Sequence, residues 1–250
     1  MAIALSGGKN ARRPRRPPAS ELFLPDDGID RSRPIGEQVY QLLRRAITHW
    51  RLAPGDPIPE SLVTKRFDIS RSPLREAFRQ LAADGLVDVR PQAGTFVSPV
   101  DRLRWEEGRV IRRALEIEGI RLAALSVDAR RLDELSLLLA QQRRAVETDD
   151  FERLLDLDDR FHASICELSG LPRLWRTIDA AKAQLDRTRY MALPAMGRAD
   201  ATLKEHQAIF DALTARDAAL SIDRLTQHLD RSDHSMALLF DGSDLAYFSP

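Results

Sequence analysis

Residues 35–98 carry a dense series of short periodic patterns, and this stretch constrains the fold more than any other part of the chain. In IGEQVYQLLRRAITHW the apolar residues recur at helical spacing, and RLAPGDPIP then breaks the pattern with three prolines and a glycine. ESLVTKRF predicts a short second helix, and DISRSPLREAFRQLAADG predicts a third helix that ends at Gly85. LVDVR and TFVS alternate like two short strands around the turn PQAG. Three helices followed by a hairpin predict a winged helix-turn-helix.

The hydrophobic pattern of the sequence changes after Val100, and only long helical patterns follow. No alternation rich in Val, Ile and Thr predicts a strand there. We expect helices at roughly 103–125, 128–147, 149–169, 171–190, 199–215 and 217–239. The fold class is therefore mostly α, with the winged helix-turn-helix followed by an all-α bundle.

These patterns divide the chain into four parts. We expect a disordered tail that is basic and rich in proline at residues 1–30, and a DNA-binding domain at residues 31–100. The helical domain is expected at residues 101–240, and residues 241–250 are expected to form a loose tail.

The distribution of charge supports different roles for the two domains. The formal net charge of the whole chain is +0, but residues 31–100 carry 11 Lys and Arg against 7 Asp and Glu. Residues 101–250 carry 22 against 27. The excess of basic residues in 31–100 and of acidic residues in 101–250 indicates that only the first of these domains binds a polyanion.

Cysteine content and hydropathy narrow the cellular setting. Cys166 is the one cysteine, so an internal disulfide is excluded and a thiolate metal site cannot be built from cysteine alone. No stretch approaches eighteen apolar residues, so we expect a cytoplasmic protein without a membrane partner.

The third predicted helix carries a row of arginines. Ser70 or Ser72 can cap its start, and Arg71, Arg75 and Arg79 then recur every four residues opposite the apolar face. An arginine can bind guanine bidentately or clamp a phosphate. A solvated charged stripe would look the same in isolation. The short helix before it and the glycine-tipped hairpin behind it favour DNA binding.

The segment PGDPIPESLVTKRFDISRSPLREAFRQLAADGLVDVRPQAGTFV resembles the DNA-binding domain of the GntR family of bacterial transcription regulators. The likeness is continuous over about residues 35–98. One departure is Ser61, where many members have an arginine; Lys65 can compensate. The resemblance implies that the DNA-contacting residues are Ser70, Arg71, Ser72, Arg75 and, on the wing, Gly94.

In the bundle, DLDDRFHASICELSG places a carboxylate and a histidine one helical turn apart. At 100° per residue, Asp158 and His162 lie on the same side of the buried stripe, at its border, and Asp159 faces water. An unpaired charge at such a border is costly, so a divalent cation is one solution. A buried Asp–His hydrogen bond, or a histidine packed against the core, is the alternative.

The patterns IRRALEIEGIRLAA and DLDDRFHASICELSG resemble the FadR branch of the family, whose FCD-type domain is a bundle of six or seven helices. Leu171 departs from the asparagine that is frequent in this branch. The branch commonly holds a metal with one carboxylate and three histidines. The resemblance implies that these ligands are Asp158, His162, His206 and His228, whereas His49 and His234 lie outside the site. Imidazole and carboxylate ligands suit zinc, nickel or manganese, of which we expect zinc.

The resemblance also implies an arginine that faces a ligand cavity, at Arg112 in IRRALE. A guanidinium there would clamp a carboxylate effector. An exposed arginine that pairs with Glu116 is the alternative, and Arg187 and Arg189 are weaker candidates for the same role.

We therefore expect a homodimeric transcription regulator, acting as a repressor on pseudo-palindromic operator DNA and responding to a small organic acid. A metal-dependent hydrolase is the first alternative, because an Asp/His₃ site can activate water. It has no evident general base, nucleophile motif or phosphate-binding loop, and it leaves the arginine helix unexplained. An architectural DNA-binding protein without an effector is the second alternative.

Overall fold

The computed structural model describes residues 28–195, 198–242 and 248–249 and is mostly α, as the sequence predicts. Its front unit consists of three helices and an antiparallel hairpin that pairs Val87 with Val97 and Arg90 with Gly94. The elements of the front unit are α1 (Ile35–Thr48), α2 (Glu60–Phe67), α3 (Arg71–Ala83), β1 (Val87–Arg90) and β2 (Gly94–Val97). The predicted winged helix-turn-helix is thereby confirmed.

The front unit is held together by one apolar core. The apolar face of α3 is fully buried and packs with the apolar face of α1. Because α1 and α3 share this core, a displacement of α1 carries the arginine-bearing helix with it. The shared core includes Val39, Leu43, Ala46, Leu74, Ala77, Phe78 and Leu81.

The remaining helices form a bundle that begins directly after a two-residue strand, β3 (Val100–Asp101). Its helices are α4 (Arg102–Ser126), α5 (Ala129–Glu147), α6 (Phe151–Leu168), α7 (Leu174–Ala181), α8 (Ala183–Ala195), α9 (Arg198–Thr214) and α10 (Ala218–Gly242). Among the described helices, none is both long and apolar enough to span a bilayer.

The single helix expected at residues 171–190 is wrong. The chain interrupts it at Lys182, and the second piece, α8, continues to Ala195. Lys182 is fully buried, and its ammonium is 2.6 Å from Asp159 Oδ2 and 2.8 Å from Asp186 Oδ1. These tertiary ion pairs stabilise the break in the helix. Because no proline or glycine lies at the break, the sequence does not indicate it.

Phe248 and Ser249, near the end of the sequence, form a strand that the sequence does not predict. Phe248–Ser249 forms β4, which pairs in parallel with β3. Phe248 is buried, and its ring lies 5.0 Å from that of Phe240. The expectation of a loose tail is wrong for these two residues, while the basic run KNARRPRR of the expected N-terminal tail lies outside the described residues.

The front unit and the bundle meet along α1 and α8. Trp50 Nε1 donates a 2.7 Å hydrogen bond to the carbonyl of Arg187, and the Arg187 guanidinium donates to the carbonyls of Ser98 and Pro99. Within the bundle, Gly108 allows a close approach, because a Cβ there would lie 2.5 Å from the carbonyl oxygen of Ala181. These contacts fix α8 against both units.

Candidate functional site

The structure places the predicted DNA-contacting residues around one groove between α3 and the hairpin. Arg71, Ser72, Arg75 and Gly94 line it, and all four are exposed. Ser70 is the N-cap residue of α3, but its side chain makes no capping hydrogen bond. Its hydroxyl is therefore not committed to the helix.

The groove has further basic residues. Arg79 continues the arginine row, as the sequence indicates, and Arg90 adds a cation from the hairpin. The Arg90 guanidinium lies 4.8 Å from the centre of the Phe96 ring, and its Nε donates to Asp88 Oδ2 at 2.7 Å. Sequence reasoning missed Arg90, although its place just before the hairpin turn was a usable signal.

The hairpin turn brings backbone to the rim of the groove. Gln92 has φ 63° and Gly94 has φ 112°, both in the left-handed region. A glycine without Cβ at this tip leaves the main chain accessible to a close partner. Arg75 Nε lies 4.0 Å from Glu60 Oε2, so α2 also borders the arginine row.

A second group of predicted residues converges inside the bundle. Asp158 and His162 come from α6, His206 from α9 and His228 from α10. One nitrogen or oxygen atom from each of the four lies within 4.8 Å of the others, and all four residues are buried. Three separate helices thus bring one carboxylate and three imidazoles to one point.

Hydrogen bonds to outer partners hold His206 and His228 by their Nδ1 atoms, and His162 Nδ1 lies beside a carboxylate without hydrogen-bond geometry. Gln142 donates from Nε2 to the carbonyl of Leu157, which leaves Oε1 to accept a 2.8 Å hydrogen bond from His206 Nδ1. His228 Nδ1 donates to Glu205 Oε2 at 2.8 Å. His162 Nδ1 lies 2.7 Å from Glu116 Oε2. A protonated Nδ1 leaves the lone pair on Nε2, which is the arrangement that metal-ligating histidines require.

The Nε2 atoms have no comparable partners. Those of His162 and His206 are buried and have no hydrogen-bond partner among the described residues. His206 Nε2 lies 3.4 Å from Asp158 Oδ1, and His162 Nε2 lies 3.8 Å from Asp158 Oδ2. Buried nitrogen lone pairs without donors, next to a carboxylate, fit a divalent cation.

The protonation states of the buried histidines and of Asp158 also suit the binding of a divalent cation. Burial and repulsion by His228 hold the pKa of His206 well below its usual range, and burial also lowers the pKa of His228. Burial would raise the pKa of Asp158, but attraction to Arg189 outweighs it and lowers that pKa well below the ordinary value. At neutral pH the site therefore offers neutral imidazoles from His206 and His228 and an anionic carboxylate.

Arg112 lies beside this cluster, and it is not the exposed residue that the alternative interpretation expected. It is 2% exposed, and its Nε donates to Glu116 Oε1 at 2.6 Å. Burial would raise the pKa of Glu116, but attraction to Arg112 and His162 lowers it. The predicted pairing with Glu116 is present, and the residue still borders a cavity.

The cavity next to the cluster measures about 30 Å³. Asp158 and His228 line it together with Arg112, Arg189 and Arg198. Its hydroxyl-bearing lining residues are Thr202, Ser232 and Ser235. Arg189 thus reaches the cavity, whereas Arg187 is directed to the carbonyls of Ser98 and Pro99.

The remaining residues considered in the sequence lie outside the metal cluster, and one of them is in a different environment from the one expected. Asp159 does not face open water: its side chain is 34% exposed and pairs with Lys182 and Arg189. His49 lies between the two units, with Nδ1 3.2 Å from Glu152, and His234 is exposed. Gln142 and Glu205 were missed, although Glu205 directly precedes His206.

Comparisons with known proteins match both parts of the chain. Residues 35–97 match the profile of the bacterial regulatory proteins of the gntR family, and residues 108–231 match the FCD domain. The chain is 36% identical to the HTH-type transcriptional repressor RspR of Escherichia coli K12 over 208 residues, which cover 83% of this chain and 91% of RspR. It is 30% identical to a probable D-xylose utilization operon transcriptional repressor of Paenarthrobacter nicotinovorans, over 78% of this chain and 85% of that protein.

A solved structure has the same fold. The E. coli McbR/YncC structure superposes with a TM-score of 0.73 at 21% identity, covering 82% of this chain and 98% of that one. The arrangement of a winged helix-turn-helix before a helical bundle is therefore shared with an experimentally determined protein.

Proposed function

Because the chain belongs to the GntR family of bacterial regulatory proteins and carries an FCD domain, we propose that it is a metal-dependent, acid-responsive repressor of the FadR subfamily. The family and the relatives are DNA-binding transcription regulators rather than enzymes, and nothing in the comparisons supports the hydrolase alternative. We assign DNA binding to residues 31–100 and effector binding to residues 101–240, in a protein of the cytoplasm.

The observation that carries the metal part of the proposal is the set of buried Nε2 atoms facing Asp158. Asp158, His162, His206 and His228 would hold the cation, and zinc suits this ligand set, with nickel and manganese as alternatives. A bound divalent cation would supply a positively charged acceptor for a carboxylate. Glu116, Gln142 and Glu205 orient the imidazoles, and Arg112 compensates Glu116.

The lining of the cavity indicates what class of effector would enter. Three arginines favour an anion, and three hydroxyl side chains favour a partner that carries hydroxyl groups. A small hydroxylated carboxylic acid combines both features, and because a cavity of about 30 Å³ has room for about one water molecule, its entry would require the lining side chains to move apart. Arg112 would bind its carboxylate, and Ser232 and Ser235 would exchange hydrogen bonds with its hydroxyls.

On DNA, Ser70, Arg71, Ser72, Arg75 and Gly94 would form the contacting surface. A homodimer would place two such surfaces on a pseudo-palindromic operator. Leu103 and Val110 lie two helical turns apart on α4 and are 67% and 57% exposed, which supports burial of this face against a second copy. Analytical ultracentrifugation of Val110→Glu tests the dimer, since a charge in that interface would favour monomers.

The proposal as a whole is tested by titration. A duplex selected from a random pool by the wild-type protein serves as operator, and its affinity is measured with the metal-stripped protein, with Zn²⁺, and with Zn²⁺ plus hydroxy acids. A repressor of this type loses operator affinity when an acid is added with Zn²⁺. Operator binding that is unchanged by metal and every acid would support an architectural protein, and turnover of an ester or amide would support a hydrolase.

A further inference from the structure

Arg189 of α8 binds three carboxylates at once. Its Nη2 donates to Asp158 Oδ2, and its Nη1 lies 2.8 Å from Asp159 Oδ1 and 3.3 Å from Asp186 Oδ1. The side chain is only 8% exposed. A single guanidinium therefore joins the carboxylate of the candidate metal centre to two acids outside it.

One of those acids is bound by the front unit. Asp186 Oδ2 accepts from Arg44 Nη2 at 3.3 Å, and Arg44 also donates to the carbonyl of Asp179 at 2.7 Å. Arg44 is a buried residue of α1. A continuous series of ion pairs thus runs from Asp158 through Arg189 and Asp186 to Arg44, and it ends on the helix that shares a core with α3.

Arg189 also separates two spaces. It lines the cavity beside the histidines and, on its other side, the cleft between α1 and the bundle, as does Leu155. In the cavity it lies with Arg112 and Arg198, and in the cleft with Arg44 and Arg45. A movement of this guanidinium toward the cavity therefore withdraws it from the cleft.

The charges of the four candidate ligands explain what would move it. Asp158 is the only carboxylate of the four, and Arg189 is its guanidinium partner. With a divalent cation on these ligands, Asp158 is already compensated and the ligand set has an excess of one positive charge. Two neighbouring positive groups, the cation and Arg189, then face the same cavity, which favours an anion between them.

We propose that Arg189 is an effector-binding residue and couples the cavity to the DNA-binding unit: it pairs with Asp158 when the ligands are free of metal, and with the carboxylate of an acid when they are loaded. Its turn toward the acid weakens its contact with Asp186. Among the described residues, Asp186 then keeps Lys182 and Arg44 as its cationic partners, so the position of α1 responds to occupancy of the cavity. This inference rests on the proposed metal site and adds the residue through which the site acts.

The first test uses Zn²⁺ alone, measured by competition with a chromogenic chelator on metal-stripped protein. Arg189→Met removes the competitor for Asp158, so its Zn²⁺ affinity should equal or exceed that of the wild type. A tenfold or larger loss of Zn²⁺ affinity would overturn the inference, because Arg189 would then only organise the metal ligands. Absence of Zn²⁺ binding by the wild type would instead refute the proposed metal site itself.

The second test adds acetate, the smallest carboxylate, to the Zn²⁺-loaded proteins. Acetate affinity, followed by calorimetry, should fall at least about tenfold in Arg189→Met, as expected for the loss of a charge-assisted pair. Equal acetate binding by both proteins, or none by the loaded wild type, contradicts the assignment. Circular dichroism checks folding, and Arg189→Lys replaces the methionine variant if that one unfolds; it keeps the charge but loses the fork, so acetate binding should still weaken.

The third test follows the connection to α1 by hydrogen exchange of a peptide that covers residues 35–48. Acetate added to the Zn²⁺-loaded wild type should change its protection, and Arg44→Met should abolish that change while acetate still binds. Arg45→Met is the matched control, because Arg45 pairs across the same cleft with Asp156 at 2.6 Å and does not contact Asp186 or Arg189. Equal responses of the two variants would overturn the role of Arg44.

Discussion

His228 Nδ1 donates to Glu205 Oε2 at 2.8 Å, and Glu205 is the chain neighbour of His206. One step along α9 thus supplies both a candidate metal ligand and the residue that orients another ligand on α10. Arg198 and Arg231 hold the same carboxylate, at 3.1 Å and 3.3 Å. Glu205 is therefore fixed from three sides.

Glu205→Leu removes the acceptor of His228 Nδ1 while leaving all four candidate ligands in place. We expect Zn²⁺ affinity to fall by about 10–100-fold, the usual effect of removing an outer partner of a ligating histidine. Chelator competition measures it, with Glu118→Leu as control, because Glu118 is half-exposed and pairs only with Arg121 within the described contacts. Unchanged Zn²⁺ affinity in Glu205→Leu would argue against a metal held by His228.

His206→Ala removes one candidate ligand outright. We expect its Zn²⁺ affinity to fall by over roughly 100-fold, which is more than the loss of an outer partner causes. The purified protein should therefore contain less metal than the wild type. Operator binding by the effector-free protein should change far less. Elemental analysis measures the metal, and His234→Ala is the matched control because His234 is exposed. Equal metal content in the two variants would refute the site.

Arg75→Ala removes a guanidinium from the groove between α3 and the hairpin. We expect the affinity for the selected operator to fall by about 1–3 kcal/mol and discrimination against random DNA to weaken. Dimer and metal content should stay as in the wild type. Fluorescence anisotropy provides the measurement, with Arg130→Ala as control, because Arg130 lies on α5 and is 84% exposed. Equal losses in both variants would indicate a nonspecific charge effect.

Asp233 gives the fold a dependence on pH. Burial raises its pKa from 3.8 to about 6, although Arg112 and Arg109 oppose the shift. A raised pKa means that the protonated form is favoured by folding, so this contribution is full below pH 3.8 and is lost as pH rises through about 6. Asp233→Asn should therefore stabilise the protein at pH 7.5, by about 1–3 kcal/mol relative to its effect at pH 4.

Urea unfolding of wild type and Asp233→Asn at both pH values measures this difference. Asp223→Asn on the same helix is the control, since its side chain is 53% exposed. If the wild type instead gained free energy of unfolding relative to Asp233→Asn between pH 4 and pH 7.5, the pH dependence would have the opposite sign and would contradict the assignment.

Local patterns were sufficient to predict the front unit, but not all members of the candidate metal cluster. The helices of residues 35–83 and the hairpin follow from apolar spacing, prolines and glycines, because these act within a few residues. The grouping of His206 and His228 with Asp158 came from resemblance to a family rather than from spacing. The periodicity within α9 or α10 does not specify which other helix of the bundle packs against each of them.

What the sequence did not predict depends on tertiary pairing. The break at Lys182 is held by Asp159 and Asp186, which are not local turn signals. Asp159 lies on the side of α6 that helical periodicity assigns to water, yet it meets Lys182 at the break between α7 and α8 and Arg189 of α8. Periodicity separates apolar from polar faces, but it cannot distinguish a polar face in solvent from one in an ionic interface.

The parallel pairing of Val100–Asp101 with Phe248–Ser249 has a practical consequence for work on this protein. The segment that leads from the hairpin into α4 is hydrogen-bonded to residues that come after α10. A label attached at Ser249 would therefore lie at the joint between the two units, where it can report on their movement or restrain it. Operator-binding measurements are best made on protein with an unmodified C-terminal segment.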